Sequence, residues 1–113
     1  MVNNMLLSVS DLSGIIVKDN DTYILEDNNS LSRLTVSKTI LHKNQETTGH
    51  LHEKVEEIYH FTSGDGTIEV GQNAYNVSPG DIVLIPDGAF HKVYNNGNED
   101  LVFIAIFETY DKR

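Results

Sequence analysis

The chain has no cysteine. A disulfide framework, a zinc-thiolate site and a thiol nucleophile are therefore excluded, and any chemistry falls to imidazole, carboxylate and hydroxyl groups, in a chain suited to a reducing compartment. Long apolar runs are also missing. The longest, residues 101–107, is seven residues, against about 20 for a membrane-spanning helix. No basic residue precedes the short apolar Met5-Leu6-Leu7, so no secretory leader is expected and the chain reads as soluble, unexported and cytoplasmic. Positive charge is in deficit: eight basic residues face seventeen acidic ones, a formal charge of -9. Such a field repels phosphate backbones and anionic lipid, so neither nucleic acid nor membrane is an expected partner. Arginine is limited to Arg33 and Arg113, which leaves no guanidinium cluster to clamp a phosphate group.

What is present is strand signal. At 113 residues, 39% of them hydrophobic, the chain is long enough for one core. Short β-branched or aromatic runs recur between Gly, Asn, Asp and Pro, and none keeps a helical period for long. Strands are expected over residues 22–25, 32–41, 50–52, 57–63, 67–70, 74–77, 81–85, 91–94 and 101–107, with one helical turn within 8–17. The Asp- and Asn-rich stretch 19–30 reads as exposed loop around one short strand. Gly64, Gly71, Gly80, Asn95 and Gly97 sit where turns tolerate positive φ. This is the pattern of an all-β barrel or sandwich. Residues 1–30 are read as an N-terminal extension packing on the barrel or on a partner subunit, and 31–113 as the barrel domain. Residues 81–85 and 101–107 are apolar at successive positions, so both faces of those strands need cover. A homodimer is the expected source of that cover.

Two clusters carry the chemistry. The first runs His50-x-His52-x4-Glu57-x6-Gly64, and the second Gly80-x5-Pro86-x-Gly88-x2-His91-x3-Asn95. Alternation on a strand aims His50 and His52 to one face. A turn then brings back a strand on which Glu57, Tyr59 and Phe61 face inward while Ile58 and His60 face out. The rigid Pro86-Asp87-Gly88 turn aims His91 at the same pocket, with Val93 and Asn95 on its face. Three imidazoles and one carboxylate suit a single divalent transition metal, Mn, Fe, Ni, Co or Zn, with open positions left for a small-molecule ligand or substrate. Tyr59 is the inward hydroxyl that could act as acid, base or hydrogen-bond donor. Asn95 is read as a turn-fixing residue, Glu56 as solvated, and His42 and His60 as lying outside the site.

These clusters resemble the two conserved motifs of the cupin superfamily. The second matches at every defined position. The first departs only at Asn44, where the family pattern has glycine, and asparagine tolerates the same left-handed geometry. The fifteen residues between Gly64 and Gly80 are similar to the spacing of compact microbial cupins. The resemblance implies a double-stranded β-helix, or conical jelly-roll barrel, with His50, His52, Glu57 and His91 binding metal inside. Thr48 to His52, Glu57 to Tyr59, and residues 96–101 are similar to cupin-type sugar-phosphate isomerases. The expected function is a metal-dependent enzyme of isomerase or epimerase type acting on a small carbohydrate or carbonyl compound. An iron-dependent dioxygenase and a non-catalytic sugar-binding cupin are the alternatives.

Overall fold

The computed structural model describes residues 5–109. Nine strands follow in chain order among them: β1 (Ile15–Asp19), β2 (Tyr23–Asn28), β3 (Leu34–Leu41), β4 (Glu57–Ser63), β5 (Gly66–Val70), β6 (Asn73–Val77), β7 (Ile82–Ile85), β8 (His91–Tyr94) and β9 (Leu101–Glu108). They form a six-stranded sheet in the order β1-β2-β3-β9-β4-β7 and a three-stranded sheet in the order β6-β5-β8. Every pairing is antiparallel. The segment before β4 extends the smaller sheet. Thr47 N–H donates to the Val93 carbonyl and Asn95 N–H to the Gln45 carbonyl, so residues 45–50 run antiparallel to β8. The expected all-β architecture is the one adopted, and no described helix is long and apolar enough to cross a membrane.

Alternation builds the core. Along β4, Glu57, Tyr59 and Phe61 are buried while Ile58 is exposed. On β8, His91 and Val93 are buried and Lys92 turns out to meet Glu46 at 3.0 Å. The inward residues Leu41, Phe61, Ile68, Val93, Leu101, Phe103 and Phe107 pack as one cluster. Their removal from water is the main driving force for closing the two sheets. Asn44 has φ 61°, as its place in the first motif requires. Gly64 has φ 79°, and a Cβ there would lie 2.4 Å from the Asp100 carbonyl oxygen. Only glycine meets both demands at that turn.

The N-terminal third departs from expectation. Residues 8–17 contain no helical turn: Ser8 and Asp11 bridge each other, and β1 begins at Ile15. Residues 19–30 are not chiefly exposed loop, since β2 continues through Asp27 and Asn28 and buries both. The reason is side-chain bonding that polarity alone does not reveal. Asn28 Nδ2 donates to the Leu12 carbonyl at 2.8 Å, and Glu26 Oε2 accepts the Gly14 N–H at 3.0 Å. These contacts fasten the leading segment against β2. It therefore leaves the outer face of β7 open, where Ile82 and Leu84 are 62% and 68% exposed. The outer face of β9 is better covered, with Ile104 buried and Ile106 partly exposed.

Candidate metal centre

His50 and His91 face each other across a two-way backbone pair. His50 N–H donates to the His91 carbonyl at 3.1 Å, and His91 N–H donates to the His50 carbonyl at 2.9 Å. Directly opposed residues of an antiparallel pair project to the same side. Their rings accordingly meet edge to face, with centroids 4.4 Å apart. Phe90 lies against Gly49, where an added Cβ would fall 2.1 Å from the ring. That close approach accounts for glycine immediately before His50.

Glu57 opens β4 on the opposing sheet and is 4% exposed; His91 is 2% exposed. Donor atoms of His50, Glu57 and His91 all lie within 4.8 Å of one another. The His52 ring stands beside them, its centroid 4.7 Å from that of His50 and 6.1 Å from that of His91. Its position comes from a turn, because strand pairing ends at His50. The Gly88 N–H donates to the His52 carbonyl at 3.0 Å, and Asp87 Oδ1 accepts the Lys54 N–H at 2.6 Å. The Pro86-Asp87-Gly88 turn thus holds the loop that carries His52. Gly88 has φ 74° and Lys54 φ 65°.

Backbone carbonyls fix both paired rings. Nδ1 of His50 lies 3.1 Å from the Thr48 carbonyl oxygen, and Nδ1 of His91 lies 3.0 Å from that of Ala89. A carbonyl only accepts, so each Nδ1 carries hydrogen and each neutral ring keeps its lone pair on Nε2. Nε2 of His91 then sits 2.9 Å from Oε2 of Glu57. The contact is not aligned as a hydrogen bond, and neither buried atom has another hydrogen-bond partner. Two lone-pair-bearing atoms at that separation call for a cation shared between them, either a proton or a metal ion. The donor set fits a divalent transition metal on this ground.

The electrostatics favour the ligating states. Burial, reinforced by the charge of His91 and His52, lowers the His50 pKa below its ordinary 6.5, against the opposing pull of the Thr48 carbonyl and Glu57. For Glu57, burial alone would raise the carboxyl; contact with His91 and the charge on His91, His52 and His50 outweigh it and lower the pKa below 4.5. At neutral pH the ring is neutral and the carboxyl ionised, which are the forms that bind metal.

Of the other residues singled out in the sequence, Tyr59 stacks on Phe103 at 4.7 Å and meets His91 edge-on at 5.8 Å. Glu56 is exposed, and His42 lies 3.4 Å from Asp100, outside the cluster. Asn95 is buried and bonds three backbone groups. The residue that sequence reasoning missed is Asp27, 5% exposed on the inward face of the large sheet. Its signal was alternation with Leu25, hidden by the run Asp27-Asn28-Asn29, which reads as a turn.

Comparison with known proteins agrees with this geometry. The cupin domain family matches residues 37–107. An oxalate-binding protein of Thermotoga maritima is 33% identical over 57 residues, 50% of this chain and 47% of that protein. A glucose-6-phosphate isomerase of Thermococcus kodakarensis is 29% identical over 100 residues, covering 77% of this chain and 53% of that protein. The chain thus spans about half the length of these curated relatives. A crystal structure from Klebsiella pneumoniae, of an uncharacterised protein with a double-stranded β-helix domain, superposes with a TM-score of 0.79 at 21% identity, covering 93% of this chain and 90% of that one. With both motifs in register on that barrel, the chain belongs to the cupin domain family.

Proposed function

We propose that His50, His52, Glu57 and His91 together hold one divalent transition metal, and that the protein is a metal-dependent enzyme of isomerase or epimerase type acting on a small carbohydrate or carbonyl compound. The observation that carries this reading is the convergence of His50, Glu57 and His91 within 4.8 Å, with Nε2 of His91 and Oε2 of Glu57 buried and not hydrogen-bonded. A metal bound there would polarise a carbonyl or hydroxyl oxygen of the substrate and so ease loss of a neighbouring proton. The chain's own residues do the rest. Thr48 and Ala89 orient the two rings through their carbonyls, and the core excludes water behind Glu57. Tyr59, held by Phe103 against His91, is the acid, base or hydrogen-bond donor closest to the cluster. The resemblance to a protein named glucose-6-phosphate isomerase supports the reaction class.

The reaction class is tested by incubating the metal-loaded protein with candidate aldoses and ketoses in deuterated water. Deuterium is expected at the carbon beside the carbonyl, and to be lost in Tyr59→Phe with metal retained. Dioxygen uptake seen only with iron would instead establish the dioxygenase alternative. Binding without exchange would leave a sugar-binding cupin.

The partner we propose is a second copy of the chain. On the outer face, Ile106, Ile58 and Leu84 lie in one cross-strand row, and a groove of about 620 Å³ runs over them to the edge of Glu57. An isologous contact there would cover the apolar face of β7 that the leading segment leaves bare. Sedimentation is expected to report twice the 12.7 kDa of the chain, and Leu84→Glu to return the monomer. A monomeric wild type at micromolar concentration would defeat the proposal.

A further inference from the structure

The inner wall of β2 and β3 is unusually polar. Asp27, Thr35, Ser37 and Thr39 are all buried, while the inward positions of β9 are Leu101, Phe103, Ala105 and Phe107. Cross-strand register lines these residues into rows. Asp27 pairs with Ser37, Ser37 with Ala105, and Ala105 with Tyr59. The adjoining row runs Thr35, Phe107, Glu57. A buried carboxylate thus shares a row with the tyrosine that touches His91, one row removed from the carboxylate of the metal cluster. The row also holds Ala105, the smallest side chain among the inward residues of β9, next to Tyr59.

Burying polar groups where valine or leucine would pack costs free energy, so the wall calls for an explanation. Fastening of the leading segment does not supply one. That task falls to Glu26 and Asn28, which flank Asp27 on β2 and bond Gly14 and Leu12 on the opposite face. Asp27 shares its face with Leu25, whose partner Thr39 is in register with Phe103 of the core. Its carboxylate is therefore turned into the barrel. An ionised carboxylate is an acceptor only, and it complements a hydroxyl donor. No lysine or arginine among the described residues is buried, so an anionic ligand would meet Asp27 and Glu57 with no interior cation to offset them.

We infer that Asp27, with Ser37 beside it, anchors the ligand of the barrel, and that this ligand is an uncharged, hydroxyl-rich molecule of about monosaccharide size. The inference rests on the metal reading above: one oxygen of the ligand lies toward the cluster and a hydroxyl at the far end donates to the Asp27 carboxylate. Three strand spacings separate Asp27 from Tyr59, roughly 14 Å along the curved sheet and less across its concave side. A five- or six-carbon sugar can bridge a gap of that scale, and a two-carbon dianion cannot.

The test is calorimetric titration of the metal-loaded protein with uncharged five- and six-carbon aldoses and ketoses, with oxalate and a sugar phosphate as anionic comparators. At least one neutral sugar is expected to bind. Asp27→Asn, which keeps the size and loses the charge, should weaken it by about tenfold, the loss expected for one hydrogen bond to a charged group. Metal content and melting temperature without sugar should stay at the wild-type level. Binding of the anionic probes alone would overturn the inference. So would a sugar affinity unchanged in Asp27→Asn, or a variant that loses stability while its folded fraction binds as before. Absence of metal from the wild type would defeat the metal reading by itself, and the sugar titration would still decide the role of Asp27.

Discussion

Replacing His91 by alanine is expected to strip the protein of metal while the barrel stays folded. The variant loses one of four ligands and leaves the buried Glu57 carboxylate without the ring that sits 2.9 Å from it. A missing ligand should weaken metal affinity about a hundredfold or more, given that loss of a merely supporting residue already costs 10–100-fold. The fold survives because the His50–His91 pairing is made by backbone groups, which alanine retains. Elemental analysis of the purified variant, beside wild type and His42→Ala, provides the check. His42 lies outside the cluster, against Asp100, and its variant should keep full metal. Full occupancy in His91→Ala would contradict the assignment. Acid gives the same answer without mutation. Because the His50 pKa is lowered from 6.5 and that of Glu57 from 4.5, protons do not compete with metal at neutral pH. Affinity should be level from pH 8 to about 6.5 and fall below that as the imidazoles protonate. Affinity that rises on acidification would mean the ligands are not these histidines.

The site was more legible in the sequence than the sheet that carries it. Ligand spacing is dictated by strand alternation, and alternation also predicts which residues turn inward. Glu57, Tyr59 and Phe61 are buried and Ile58 is exposed for that reason alone. Turn chemistry was equally readable: Asn44 takes the left-handed conformation expected of it, as do Gly64, Gly80 and Gly88. His52 shows where the argument weakens. Its place depends on a loop clamped by Gly88 and Asp87, contacts between residues more than thirty positions apart. The leading strands were least legible. β1 is exposed at every position and has no alternation to read. β2 ends in Asp27-Asn28, which local propensity assigns to a turn and long-range bonding to Leu12 retains in the sheet. Propensity is decided by neighbours in sequence, and here neighbours in space outvoted it. Asp27, the residue we assign to the ligand, was hidden by the same effect.

Asn95→Ala is expected to produce the largest loss of stability among polar substitutions in the second motif, with metal binding spared in the protein that remains folded. The side chain is 1% exposed and serves three backbone groups. Its Nδ2 donates to the Leu41 carbonyl at 3.0 Å and to the Glu99 carbonyl at 2.8 Å, and its Oδ1 accepts the Gly97 N–H at 3.0 Å. Asn95 thereby ties the end of β3 to the loop that leads into β9, and these two strands pair along their whole length. Alanine would orphan the Leu41 carbonyl inside the barrel and leave a void beside it. Each buried polar group left unpaired costs about 1–3 kcal/mol. The loop carbonyl and N–H can turn partly to water, so the total should be about 3 kcal/mol, or roughly 10 °C in melting temperature for a domain of this size. Asn95→Asp should fall nearly as far, because a carboxylate cannot donate to either carbonyl. Thermal melts of both variants, with metal content measured on the folded fraction, distinguish this structural role from a place in the metal cluster. A melting temperature within a degree or two of wild type would show that the three bonds are not holding the β3–β9 junction. Metal lost from a fully folded Asn95→Ala would instead draw Asn95 into the site through His91, four residues before it.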